Sequence, residues 1–524
     1  MPSVFSQSLS LISLGIAGLI VLPLVYVATT ALLADSAVWG RLWTTRVPEL
    51  FFNTISLAGT VAIGTLLLGV SLAWFLTQYD FGGSRTWEWV IILPLAIPSY
   101  VLAYIYSYLL GLGGPLDVTW QWLVGEDSHI FSPFTFAGAA LVMTLNTFPF
   151  VYVLARSAFL NFNISYEEVA RVTGATRLST FFRVFLPLIR PSLVAGLLLA
   201  ILYVVSDFGA VSLLRYQTFT YAIYQQMTGR FDYTAASCLS LLLVIFALVF
   251  VVGERWFRKT SRFYQTSGAF RRVKPRTCTS LQTGLITLYL LVIVGLAFAL
   301  PVMLLMQWTM TAIAEGELSF RFLGFIWNSI LLSGSTATLA LLVGTPLAYL
   351  ACRKPTRLNM LCLQGAYSGY VLPGPVAALA LLVLISQMVP VLYGTTVILV
   401  VAYLIHFLPA GLQAMESALH QVNPNVEEAA RNLGARAVRT FRVITLPLVK
   451  GGFLGAWILV FIQCMKELPA TLLLRPVGFD TLAIRVWLEA SEELFQLAAP
   501  PALLIIIVSI PVVILLTRRT GSLS

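Results

Sequence analysis

Charged residues are scarce in this chain: Asp, Glu, Lys and Arg make up 10% of its 524 residues, whereas soluble globular domains contain about a quarter. Hydrophobic residues make up 59%, and the mean hydropathy is +0.89. One membrane anchor cannot account for these values, because a helix that crosses a bilayer needs only about 20 apolar residues. The composition excludes a soluble protein and predicts many membrane-spanning helices, whose backbones satisfy their own hydrogen bonds in lipid.

The features of common enzyme and metal sites are also missing. The five cysteines form no C-x-x-C pair, and the three histidines lie far apart in the sequence. We therefore assign neither a disulfide framework nor a metal site. The chain has no G-x-x-x-x-G-K-[ST] phosphate-binding loop, so we expect it to bind no cofactor and to hydrolyse no ATP itself.

What the sequence does contain is a series of twelve long apolar segments, which predicts an all-α polytopic membrane protein with about 12 transmembrane helices. We expect the first segment to be a retained span, because its apolar run is longer than that of a cleaved signal peptide. The predicted spans are residues 9–33, 51–77, 87–111, 135–157, 190–213, 234–253, 279–309, 326–350, 361–388, 394–416, 450–473 and 495–517.

The basic residues are distributed by membrane side. Of the 32 Lys and Arg residues, 24 fall in the loops on the side of the N-terminus, in the central linker or in the tail. Cytoplasmic loops carry such an excess, so we expect both termini to lie in the cytoplasm of a bacterial cell, with the chain in the inner membrane. This distribution accounts for the net charge of +10 without a nucleic-acid partner. We expect membrane lipid to surround the chain.

The two halves of the sequence repeat. An offset of 260 residues aligns Pro149 with Pro409 and Leu186-Pro187 with Leu446-Pro447. The repeat predicts two six-helix domains, at 1–254 and 279–524, joined by a basic cytoplasmic linker at 255–278. Parallel repeats of this kind are related by a pseudo-twofold axis along the membrane normal.

One cytoplasmic loop in each half, at about 163–187 and 423–447, has the pattern of a short capped helix. Ser165 and Glu168 form a capping box in the first loop, and Asn423 followed by Pro424 gives an N-cap and a first helical proline in the second. A glycine ends each helix. Two helical turns are unstable alone in water, so we expect each helix to be held by packing against a partner.

These loops resemble the EAA loop in the permease subunits of ABC importers (type I). The second loop matches in Glu428-Ala429-Ala430, Gly434 and Ile444-x-Leu446-Pro447, and the first keeps the same spacing. The resemblance implies a coupling helix that docks on a separate cytoplasmic ATPase, in two copies, which uses ATP and Mg²⁺. The residues it assigns to this contact are Glu167, Glu168, Ala170 and Gly174 in the first loop and Glu427, Glu428, Ala430 and Gly434 in the second.

Ionisable residues inside two matching spans are candidates for the translocation pathway. Asp207 and Glu467 align at the offset of 260, and a helix disruptor follows each two residues later. Ionisable groups in a span are costly and face a cavity or a partner. The carboxylates either line a pathway for a cation or form structural pairs, Asp207 with Lys466 and Glu467 with Arg475. Lys466 is itself a pathway candidate, and we predict kinks at the matching prolines Pro94, Pro98, Pro373 and Pro375.

The segments around these carboxylates, Ser206–Arg215 and Lys466–Pro476, resemble those of ferric iron permeases. The resemblance implies that a periplasmic binding protein delivers the cargo and that the chain moves ferric iron into the cytoplasm by alternating access. Importers of the same class for thiamine, phosphonate or polyamine are the alternatives. A secondary transporter would show no repeated EAA loop, and a channel would bind no ATPase.

Overall fold

The computed structural model describes residues 4–125, 128–129, 131–163, 170, 172, 174, 176–260 and 275–521. Apart from one ladder of two short strands, the regular structure in this part of the chain is helical, as predicted. The strands β1 (Tyr79–Asp80) and β2 (Arg276–Thr277) pair in parallel, with Tyr79 opposite Arg276. The α-helices are α1 (Val4–Leu32), α2 (Ser36–Thr45), α3 (Val47–Gln78), α4 (Ser84–Val90), α5 (Ser99–Leu110), α6 (Pro115–Val124), α7 (Phe136–Leu160), α8 (Arg177–Thr180), α9 (Leu186–Ser206), α10 (Gly209–Leu213), α11 (Phe219–Thr228), α12 (Tyr233–Thr260), α13 (Ser280–Val294), α14 (Leu300–Ala314), α15 (Arg321–Arg353), α16 (Arg357–Tyr367), α17 (Gly374–Met388), α18 (Thr396–His420), α19 (Pro424–Asn432), α20 (Ala437–Thr440), α21 (Leu446–Met465), α22 (Pro469–Leu474), α23 (Leu482–Ser491) and α24 (Phe495–Gly521).

Ten helices within the described residues are long and apolar enough to cross a membrane. An eleventh span is the pair of α16 and α17, which is bent by 109°. The twelfth predicted segment lies in α24, whose apolar part, Phe495–Pro511, is shorter than a full span. The prediction of an all-α polytopic membrane protein is therefore confirmed, with 10 or 11 full-length spans in place of about 12.

Prolines break the helices in two matching predicted spans. In the first half, a 3₁₀ turn at Leu93–Ala96 separates α4 from α5, and Pro98 precedes the first residue of α5. In the second half, a 3₁₀ turn at Ser368–Val371 is followed by Pro373, and α17 begins at the next residue. Proline lacks an N–H and disfavours helical geometry in the residue before it. The predicted kinks are confirmed, and the third span runs over 99–124 instead of 87–111.

A π-helical turn precedes each of three Leu-Pro pairs, at Phe181–Phe185, Gly295–Ala299 and Phe441–Thr445. The proline ring cannot donate a hydrogen bond and displaces the carbonyl four residues earlier, so the helix widens locally. In the π-helical register before Pro301, the carbonyl left without an N–H partner is that of Leu296, five residues earlier, and it accepts a hydrogen bond of 3.0 Å from the Tyr106 hydroxyl. A neighbouring side chain thus satisfies a backbone group that would otherwise be unpaired in the membrane.

The helices form two compact units. One unit contains Met1–Val47, Ala222–Val244 and Gly316–Glu489, and the other contains Pro48–Tyr221, Ile245–Glu315 and Ala490–Ser524. In the first unit α1 packs against α15, α16 and α17, and in the second α14 packs against α24 and α5. The domain boundaries predicted from the repeat stay a prediction. At the predicted start of the linker, residue 255, α12 continues to Thr260.

The repeated asparagine near the start of each half has the same role in both units. The Asn53 side chain donates to the carbonyl of Gln217, and the Asn328 side chain donates to the carbonyl of Asp480, each over 3.0 Å. The hydroxyl group of the next residue in each copy accepts a backbone N–H from the same segment. These contacts fix the segments that follow the candidate pathway residues.

Candidate functional site

The second EAA-like loop forms the short capped helix that its sequence predicts. The Asn423 side chain accepts from the N–H of Asn425 over 3.0 Å, and Pro424 is the first residue of α19. The helix ends at Asn432, and Gly434 follows with a φ of +89°. Glycine adopts this left-handed conformation at little cost, so both the cap and the glycine terminus are confirmed for this copy.

The two adjacent glutamates of α19 lie in different environments. Glu427 is 1% exposed, whereas Glu428 is exposed. The Glu427 carboxylate accepts from Arg353 Nε at 2.9 Å, from the Tyr349 hydroxyl at 2.9 Å and from Arg431 Nη2 at 3.3 Å. We refer to Glu427, Arg353, Tyr349 and Arg431 as the Glu427 cluster. It fixes the inner face of α19 to the end of α15.

The outer face of α19 is available to a partner. Glu428 and Ala429 are exposed, and the Leu433 side chain is 89% exposed. Ala430 faces the opposite way and is buried. A small apolar surface with one carboxylate at its edge remains, and it is the kind of surface that fits a groove in another protein.

Only part of the first EAA-like loop lies within the described residues. Ser165, Glu167 and Glu168 fall outside them, so their predicted roles stay predictions. Ala170 is buried, as is its counterpart Ala430. Gly174 has a φ of +78°, close to that of Gly434.

Asp207 lies at a break between two helices. α9 ends at Ser206, and α10 begins at Gly209. The Asp207 side chain accepts from the N–H groups of Ala210 and Val211 at 2.9 and 3.4 Å, and from the Ser99 hydroxyl. The carboxylate therefore caps the second half of a broken span.

Glu467 occupies the matching break between α21 and α22. Its Oε1 accepts from the N–H of Ala470 at 3.1 Å, and its carbonyl accepts from the Thr471 hydroxyl at 3.0 Å. Where the first half has Ser99, the second half has Gly374, which supplies no hydroxyl; a Cβ added there would lie 3.0 Å from Glu467 Oε1. The Glu467 side chain, which is longer than that of Asp207, thus lies against the backbone of Gly374.

Of the two ion pairs predicted for these carboxylates, one is not formed and the other stays a prediction. Arg475 pairs with Asp480, not with Glu467. Lys466 lies between the end of α21 and Glu467 and is partly buried. Its pairing with Asp207 and its place in a pathway stay predictions.

Two polar residues near these breaks were not predicted from the sequence. Asn146 donates to the carbonyl of Ile97 over 2.9 Å, and His406 Nδ1 lies 3.0 Å from the carbonyl of Leu372. Both carbonyls precede the proline at which a span is broken. The offset of 260 aligns Asn146 with His406, so a search of the repeat for paired polar residues would have found them. Within the described residues, no group of three or more His, Cys, Asp and Glu side chains is placed to hold a metal ion.

Comparison with known proteins identifies the family. Residues 66–262 match the model of the binding-protein-dependent transport system inner membrane component. The chain is 31% identical over 475 residues to the Fe(3+)-transport system permease protein FbpB 2 of Haemophilus influenzae, a match that covers 90% of each chain. It is 25% identical to the ferric transport system permease protein FbpB of Actinobacillus pleuropneumoniae over 80% of this chain and 64% of that protein.

Among solved structures, a bacterial ABC transporter involved in the import of the acidic polysaccharide alginate matches with a TM-score of 0.37 and 16% identity, over 45% of this chain and 88% of that one. The extent of the match to the Haemophilus permease decides the assignment, since it spans nearly the whole of both proteins. The chain therefore belongs to the family of binding-protein-dependent inner-membrane transport permeases that includes the Fe(3+)-transport system permease proteins.

Proposed function

We propose that this chain is the permease of an ABC importer that moves ferric iron from the periplasm to the cytoplasm by alternating access. The observation that carries the proposal is the 31% identity to a Fe(3+)-transport permease over 90% of both chains. The two EAA-like loops support the importer class, because a secondary transporter or a channel has no need of them. Importers for thiamine, phosphonate or polyamine are the alternatives within the same class.

The energy for transport comes, in this proposal, from a separate ATPase, which binds ATP and Mg²⁺. Two copies of the ATPase dock on the two coupling helices, one through Glu168 and one through Glu428. Exposure of Glu428, Ala429 and Leu433 on the outer face of α19 supports docking there. The chain itself binds no cofactor, and both of its termini lie in the cytoplasm.

On the opposite side of the membrane, a periplasmic binding protein delivers the iron. Asp207 and Glu467 then line the pathway near its outer gate. This placement is supported by the breaks between α9 and α10 and between α21 and α22. Broken helices at matching positions mark substrate sites in membrane transporters. Unwound backbone at such a break exposes polar groups that an ion can meet.

Uptake of radiolabelled ferric iron tests the cargo. Iron-starved cells with and without the gene are compared, with excess unlabelled thiamine as a competitor control. We expect gene-dependent uptake that thiamine leaves unchanged. Loss of gene dependence, in cells that contain the chain and its partners, would contradict iron as the cargo and retain the importer class.

Association with the ATPase tests the coupling loops. We expect the double variant Glu168→Ala with Glu428→Ala to lose both ATPase association and uptake, because neither loop then offers a carboxylate to its partner. The ATPase copurified with each permease is measured against the unaltered chain. Full association of the double variant would show that docking uses other residues.

A further inference from the structure

The Glu427 cluster is a buried ion pair at the cytoplasmic end of a membrane helix. The Glu427 side chain is 1% exposed and that of Arg353 is 7% exposed. Burial of two charges is costly, and well-packed apolar residues at such positions are often at least as stable. A requirement for stability alone therefore does not explain a charge pair here. What a hydrogen-bonded pair adds is a fixed geometry between the elements that it joins.

Arg353 joins three elements through one guanidinium group. It is the last residue of α15, and its Nε donates to Glu427 in α19. Its Nη2 donates to the carbonyls of Leu419 and Val422, at 3.2 and 3.0 Å, where α18 ends. The planar guanidinium fork holds its donors in fixed relative directions. A displacement of α19 must therefore move the ends of α15 and α18 or break these bonds.

The remaining members of the cluster strengthen this connection. The Tyr349 hydroxyl, one turn earlier in α15, donates to the second carboxylate oxygen of Glu427 at 2.9 Å. Arg431 donates both to that oxygen and to the Tyr349 oxygen, at 3.3 and 3.2 Å. Both carboxylate oxygens are thereby used within the chain, and Glu427 points away from the exposed face that carries Glu428.

The first half of the chain has different chemistry at the matching positions. The repeat that aligns Asn53 with Asn328 aligns Gln78 with Arg353 and Trp74 with Tyr349. Gln78 carries no charge. The Trp74 ring instead contacts the rings of Phe159, Phe181 and Phe185, with centroids 4.9–5.5 Å apart. The residue that aligns with the arginine fixing α19 is therefore uncharged.

We propose that Glu427 is a positioning residue that transmits movement of the second coupling helix to α15 and α18 through Arg353. The proposal rests on the proposed coupling function of the loops. It gives the two adjacent glutamates separate tasks: Glu428 binds the ATPase, and Glu427 connects the bound helix to the membrane domain.

The test compares Glu427→Gln with Glu428→Gln in the full complex reconstituted in proteoliposomes with its ATPase and binding protein. Three quantities are measured: ATPase copurified with the permease, binding-protein-stimulated ATP hydrolysis, and ferric iron moved per ATP hydrolysed. We expect Glu427→Gln to retain the ATPase and to lower iron moved per ATP by at least about fivefold, the smaller end of typical coupling between sites. Glu428→Gln should instead reduce the amount of ATPase that copurifies, because one of the two docking carboxylates is lost.

Glu416→Gln is the matched control. Glu416 is a partly buried glutamate of α18 that accepts from the Tyr367 hydroxyl at 2.7 Å, and this bond does not involve α19. Glu416→Gln removes the same charge in the same region and leaves the contacts of α19 in place. We therefore expect an unchanged ratio of iron moved to ATP hydrolysed. Hydrogen exchange of the amides at 425–433 should quicken in Glu427→Gln and stay the same in the control.

A second variant separates transmission from stability. Glu427→Met with Arg353→Met removes both buried charges together, which avoids the unpaired arginine that Glu427→Gln leaves. We expect this double variant to accumulate in the membrane and to remain uncoupled. A normal ratio of iron to ATP in either variant would overturn the proposal. If Glu427→Gln does not accumulate in the membrane, the ratio measured for the double variant decides the outcome. If the unaltered complex hydrolyses ATP but moves a cargo other than iron, only the proposed cargo fails, because the ratio can be measured with that cargo.

Discussion

Substitution of Asp207 separates its role as a helix cap from a role in transport. Asp207→Ala removes the acceptor for the first N–H groups of α10, which costs about 1 kcal/mol for a typical cap. It also removes the hydrogen bond between the buried Ser99 hydroxyl and a charged carboxylate, which is worth about 1–3 kcal/mol. The alanine variant should therefore lose about 2–4 kcal/mol of stability in total.

Asp207→Asn has the same shape and keeps most of these bonds. Its carbonyl oxygen can accept from the N–H of Ala210, and its amide can donate to the Ser99 oxygen. We expect a stability loss below about 1 kcal/mol, together with slower iron uptake because the charge is gone. A loss of about 1.4 kcal/mol of attraction for a passing cation in the transition state corresponds to tenfold slower transport.

Glu467→Ala is the comparison variant for stability. Glu467 accepts one backbone N–H with its side chain and has Gly374 where Asp207 has Ser99. The variant removes a cap and no serine hydrogen bond, so we expect a cost of about 1 kcal/mol, smaller than that of Asp207→Ala. Unfolding in mixed detergent with rising SDS measures the three stabilities, and proteoliposome uptake measures transport. Normal uptake by Asp207→Asn would refute the pathway role, and equal instability of the Asn and Ala variants would refute the capping account.

Three further predictions concern other parts of the fold. Gly434→Ala should cost about 1–2 kcal/mol locally, because its φ of +89° places a Cβ near the carbonyl oxygen; ATPase association measured by copurification should weaken. Tyr106→Phe should cost about 1 kcal/mol in the unaltered chain and nothing in a Pro301→Ala background, as a double-mutant cycle of SDS unfolding would show. Arg41→Ala breaks an exposed ion pair with Asp232 and should change stability by less than about 1 kcal/mol in the same unfolding measurement.

Local features of the fold were predictable from the sequence because local chemistry determines them. Apolar runs of span length, the Asn423 cap and the breaks at Pro98 and Pro373 all depend on neighbouring residues. Contacts between distant elements were not predictable in this way. The sequence shows two adjacent glutamates in α19, and only the position of Arg353 at the end of α15 decides which of them is buried.

The same limit applies to the candidate pathway. The repeat identified Asp207 and Glu467, but their capping bonds require knowledge of where each helix stops. Arg475 was a reasonable partner for Glu467 by sequence distance alone. In the structure the chain turns after α22, and Arg475 meets Asp480 instead.

The packing of α1 has a consequence for biosynthesis. Its neighbours within its unit are α15, α16 and α17, and Ser10 donates to the side chain of Asn359 over 3.1 Å. A ribosome completes α1 long before it reaches residues 321–388, so α1 waits in lipid while the helices between them are made. Its largely apolar surface can tolerate that wait without an exposed polar backbone. Assembly of this unit is therefore a late step, and a chain released before residue 321 would retain an inserted α1 whose packing partners were never made.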